Sequence, residues 1–179
     1  SITFSVSVGY LQTGTVGTVS TGRISLTVSD FAQYGLDTNS LYNLGGQGFR
    51  VDNGDNLLYE AGIIVGRNTL QLASSIRDSA AQYRPSELRP IEQLSGLWQD
   101  ADGAYHRTAG MDDSRALVPM PIGVYQDVSC YTESGDNGYI TIEYRLQNRS
   151  LETQTGVEFG FVTDFDLSPD DRIVYRDDL

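Results

Sequence analysis

Residues Gly123–Gln147 read GVYQDVSCYTESGDNGYITIEYRLQ and hold two strand-like runs on either side of a turn. Gly123 to Glu133 alternates, with Val124, Val128 and Cys130 on one side of an extended chain. Tyr139 to Gln147 alternates as well. Ile140, Ile142, Tyr144 and Leu146 form one face, and Thr141, Glu143, Arg145 and Gln147 form the other. The connection Ser134-Gly135-Asp136-Asn137-Gly138 supplies Asn and Gly, which tolerate positive φ, so the two runs are expected to form a hairpin. An antiparallel pair with one apolar face must bury it against a second layer.

Strands for such a layer occur on both sides. Gly156 to Phe165 is a further run with Val157, Phe159 and Phe161 facing one way, and Gly138–Phe165 as a whole is expected in the middle of a sheet. Leu57 to Val65 (LLYEAGIIV) is continuously apolar and of strand length, the pattern of a central strand. Thr69 to Arg77 is its expected antiparallel partner. Arg23–Ser29 alternates, as do Ile2, Phe4, Val6 and Val8; shorter runs lie at Thr15–Val19, Gln47–Arg50, Gln93–Gln99 and Ile173–Tyr175. Asp30 to Gly48 reads as a long loop, a feature that is usually functional or tied down by neighbours. About nine strands and no amphipathic helix predict an all-β chain, an antiparallel β-sandwich with long loops. Residues 1–179 are expected to be one domain excised from a longer protein.

Acidic residues outnumber basic ones by 24 to 12, for a formal charge of −12, and every basic residue is Arg. Such a field repels nucleic acid and anionic lipid, which argues against both as partners, while it attracts cations. No apolar run approaches the ~18–20 residues of a membrane-spanning helix. One cysteine, Cys130, excludes an internal disulfide and a multi-thiolate metal site, and one histidine, His106, excludes a multi-His zinc site.

The candidate sites follow from residue type. Asp164, Asp166, Asp170 and Asp171, with Ser168 among them, offer hard oxygen ligands at short spacing and form a candidate calcium site. Pro169 and Tyr175 stand where an EF-hand loop requires Gly and Glu, so the loop is not of that kind. Asp52/Asp55 and Asp100/Asp102 are weaker candidates of the same chemistry. Trp98 and Tyr105, with Tyr34, Tyr42 and Tyr83, fall in irregular stretches. Such rings either pin loops or stack on sugars, so Trp98 and Tyr105 are candidate glycan contacts. A hydrolase would need two carboxylates facing each other across a cleft, for which Asp164, Asp166, Glu60 and Glu143 are the available acids. His106 sits in a loop-like stretch and reads as a surface residue. Cys130 reads as a small buried hydrophobe. Asn148-Arg149-Ser150 matches the N-glycosylation tripeptide.

Gly22–Asp30-Phe31, Gly48-Phe49-Arg50, Asn56–Gly62 and the run TIEYRLQNRSLETQTGVEFGFVTDFDLSPDD resemble a β-rich accessory domain of exported bacterial proteins, some of which carry a subtilisin-like peptidase upstream. Phe165 stands where that domain's Asp-aromatic-Asp unit has Trp. The resemblance carries no catalytic residue. It implies a noncatalytic domain, secreted or at the cell surface, in contact with neighbouring domains of a parent protein or with a glycan or other surface partner. Self-assembly through an edge strand such as Ser1–Val8 is a further expectation.

Overall fold

A computed structural model describes residues 14–35, 46–76 and 87–165. The described residues hold strands and no helix, arranged as two antiparallel sheets that pack as a β-sandwich. The runs Ile2–Val8 and Ile173–Tyr175 lie outside the described residues.

In the first sheet β1 (Val16–Ser20) and β2 (Ile24–Ser29) form a hairpin. The far edge of β2 is shared by β3 (Gln33–Tyr34) and β4 (Phe49–Val51). β3 hands the sheet on to β5 (Leu58–Gly66), which also pairs with β6 (Leu72–Ser74) on that side and with β12 (Glu158–Phe165) on the other. The apolar run Leu57–Val65 is therefore an interior strand, as its composition predicts. Its partner is shorter than Thr69–Arg77. Gly62 allows this crowding, since a methyl group there would overlap Ser75 Oγ.

The second sheet runs β11 (Thr141–Asn148), β10 (Ile122–Cys130), β9 (Tyr105–Asp112) and β7 (Arg89–Glu92), with β8 (Trp98–Gln99) also on β9. The expected β10–β11 hairpin forms, with Val128 opposite Ile142 and Val124 opposite Leu146. Several expectations fail; Asp30–Gly48 is not all loop, since it carries β3. Among the described residues Gly138–Phe165 is not the middle of a sheet: β11 ends one sheet and β12 ends the other. Strand character follows from alternation, whereas position in a sheet depends on distant partners. His106 is not in a loop but in β9, whose sequence YHRTAGMD hides the period because the inward positions include Arg107.

The core is built where the inner faces meet. Val19, Val28, Ile63 and Val65 from one sheet pack with Met111, Val124, Val128 and Cys130 from the other, all almost fully buried. Cys130 is the buried hydrophobe expected, its Sγ 3.3 Å from the Ser20 carbonyl oxygen. Polar groups stitch the layers. Tyr34 Oη donates to Gln126 Oε1 at 2.5 Å, Gln126 Nε2 donates to the Ser29 carbonyl at 2.6 Å, and the Tyr34 and Tyr144 hydroxyls share a hydrogen bond. Burial pushes both phenols well above their ordinary range, so they act as neutral donors. At the rim, Arg107 reaches from β9 to the Thr18 and Ser95 carbonyls at 3.0 and 2.8 Å. Gly17 leaves room for its guanidinium.

Candidate contact surface

The two terminal strands, β11 and β12, leave an apolar cleft of about 310 Å³ between the sheets. Alternation sets which side chains enter it. Ile140 and Ile142 come from the β11 side and Phe161, Thr163 and Phe165 from β12; Leu26, Phe49 and Tyr34 are among the residues lining the first sheet's side. Rings form two groups along β12. Tyr144 lies 5.0 Å from Phe159 and 6.3 Å from Phe161 between centroids, Tyr34 lies 5.8 Å from Phe161, and Phe49 meets Phe165 edge-on at 6.2 Å. These are aromatic contacts of the ordinary attractive kind. Yet Phe161 remains 45% exposed, and Phe159, Phe165 and Tyr139 are exposed to a similar degree. Half-exposed rings at the mouth of an apolar cleft make a surface suited to contact.

The predicted glycan aromatics are not brought together. Trp98 and His106 are cross-strand partners and share one face of the second sheet, where the indole stacks on the imidazole at 4.4 Å and 14°. Tyr105, one residue along β9, points the other way and packs against the core. One face of the Trp98 ring is taken by His106, and the side chain is 44% exposed.

His106 is held from both ends. Its Nδ1 is 2.9 Å from Asp127 Oδ1 and its Nε2 is 3.2 Å from Asp100 Oδ2. Burial lowers the imidazole pKa, but the two carboxylates outweigh it and raise it above 6.5. Asp100 is turned toward His106 by its own loop, where Oδ1 accepts the Asp102 and Ala104 amides at 3.0 and 2.9 Å. Burial pushes the Asp100 carboxyl up, and those amides together with His106 more than reverse it. The geometry is that of a clamp, with the base already engaged on both nitrogens.

Of the predicted calcium ligands, Asp164 lies on β12 directly opposite Glu60 of β5, while Asp166, Asp170 and Asp171 lie outside the described residues. Asp52 pairs with Arg23 at 3.2 Å. Among the described residues no group of three or more His, Cys, Asp or Glu gathers closely enough to hold a metal ion. The candidate hydrolase acids are also dispersed. Glu60 and Asp164 are neighbours within one sheet, and Glu143 sits in the other sheet opposite Asp127.

A constellation that the sequence did not announce joins three segments. Asp112, its side chain only 8% exposed, accepts from Arg89 and Arg149, both at 2.8 Å. Ser114 Oγ donates to the other carboxylate oxygen at 2.6 Å. Burial raises the Asp112 pKa, and Ser114 and Arg89 bring it below the usual carboxylate value. No local signal marks its ion pairs, because the two arginines are 23 and 37 residues away.

No family model matches the chain, and no solved structure matches it. Over 165 residues the chain is 27% identical to Fusexin 1 of Haloferax sp. (strain Q22), a match that covers 84% of this chain and 23% of that protein. The chain thus spans under a quarter of the length of this curated relative.

Proposed function

We propose that this chain is a noncatalytic, contact-making β-sandwich of a larger cell-surface protein of the Fusexin 1 kind, whose activity is membrane fusion. The observation that carries the contact role is the open aromatic cleft between β11 and β12. Its apolar lining suits a neighbouring part of the same parent protein, which would cover the half-exposed rings of Phe159, Phe161 and Phe165. The charge of −12 keeps the domain itself off anionic lipid, so its contribution is protein contact and another part of the parent engages the bilayer. The similarity to Fusexin 1, which extends over 84% of this chain, supports the kind of parent. The test is a content-mixing assay between cells displaying the full-length parent. Phe161→Ser is expected to lower mixing at least about tenfold at unchanged surface display, while Leu117→Ser, at an exposed position in the β9–β10 connection, leaves mixing unchanged. A full-length parent that reaches the surface without any mixing would overturn the reading.

A further inference from the structure

The tripeptide Asn148-Arg149-Ser150 has a place in the fold that gives it chemical meaning. Asn148 is the last residue of β11, exposed, where the edge strand runs out into the connection to β12. Its side chain stands outside the backbone ladder and organises a turn. Oδ1 accepts the Ser150 amide at 2.9 Å and the Ser150 hydroxyl at 2.8 Å, and Nδ2 donates to the Glu152 carbonyl at 2.7 Å. The hydroxyl of the third residue therefore touches the acceptor amide of the first. The middle residue anchors the turn to the sandwich, with the Arg149 amide on the Pro121 carbonyl at 2.9 Å and its guanidinium on Asp112. Just after the tripeptide, Leu151 is fully exposed, an apolar side chain with no cover. Among the described residues β11 is also a terminal strand, and such strands invite pairing with other chains unless something blocks them.

We propose that Asn148 is an N-glycosylation site of the exported protein, its glycan covering Leu151 and guarding the end of the β11 edge. This rests on the reading that the parent protein is exported, since the modification belongs to surface and secreted chains. The donor is an oligosaccharide carried on an isoprenoid phosphate. A bond forms between Asn148 Nδ2 and the sugar C1, the C1–O bond to phosphate breaks, the phosphate leaves with the electron pair, and Nδ2 gives up one proton. The second amide hydrogen remains to donate to Glu152.

The test uses the full-length protein made in a host that exports and glycosylates it. Cleavage after Glu143 and Glu152 releases the peptide Tyr144–Glu152, whose mass is read directly. The expected result is a peptide heavier by whole sugar residues. The increment is lost in Asn148→Gln and Ser150→Ala and kept in Ser150→Thr, which preserves the hydroxyl. Surface labelling of intact cells is run in parallel. An unmodified peptide from surface-labelled protein overturns the glycosylation site alone. A protein that stays inside the cell overturns both this proposal and the export reading.

Discussion

Tyr34 Oη, on the short β3 of one sheet, donates a 2.5 Å hydrogen bond to Gln126 Oε1 in the facing sheet. Both side chains are almost completely buried, so each group depends on the other for satisfaction. The same Gln126 reaches the Ser29 carbonyl, and Tyr144 completes the set from β11. Apolar packing alone tolerates some sliding of one sheet over another. A directed polar pair across the core fixes the register of the layers and holds the inner end of the aromatic cleft.

Tyr34→Phe removes the donor and leaves Gln126 Oε1 buried without one. The expected loss of stability is about 1–3 kcal/mol. Urea unfolding should show a lower midpoint at an unchanged slope; an unaltered midpoint would mean that the pair contributes nothing net.

The His106 clamp makes stability depend on pH. The folded imidazole has a pKa raised above 6.5, so its contribution is fully present below that value and lost as pH rises through the folded pKa. Asp100 is depressed in the folded chain, so its share is present above the ordinary carboxylate range and lost in acid. Between about pH 6 and 8.5 the melting temperature should fall more in the wild type than in His106→Gln. Trp98 is the only tryptophan and stacks on this ring, so its emission should change with the same midpoint. Parallel pH profiles in the two proteins would count against the clamp.

Asp112→Ala leaves Arg89 and Arg149 without their shared carboxylate and frees Ser114. The expected cost is about 2 kcal/mol, because the carboxylate is buried and its bonds are charge-assisted. Arg149→Ala, at a half-exposed guanidinium, should cost less, about 1 kcal/mol. Thermal and urea unfolding of the two variants provide the check, and a reversed order would refute the assignment of Asp112 as the hub.

A charge of −12 on a chain of this size repels itself, and salt screens that repulsion. The screening length falls from ~30 Å at 0.01 M to ~3 Å at 1 M ionic strength. The melting temperature is therefore expected to rise with potassium chloride over that range. A flat or falling dependence would show that specific ion pairs outweigh the net charge.

Legibility in the sequence followed the range of the forces involved. The β10–β11 hairpin, β2 and β5 were readable because alternation or an apolar run is a local signal. β3 was lost inside a long polar stretch, since two residues make no period and Val28, Ala61 and Gly62 on neighbouring strands define it. β9 was obscured by Arg107, an inward residue that is charged and satisfied by carbonyls of distant segments. Trp98 and Tyr105 looked like one candidate site, but adjacent strands turned them to opposite faces of the sheet.

The amino-acid sequence by itself determined the all-β class, the hairpin, the buried cysteine and the acidic surface, because these depend on residue type and on neighbours a few positions away. Tertiary structure alone decided that β11 and β12 end their sheets, that their rings flank an open cleft, and that Asn148 sits exposed at the end of an edge. Those properties arise when strands far apart in the chain compete for the same hydrogen-bonding edges.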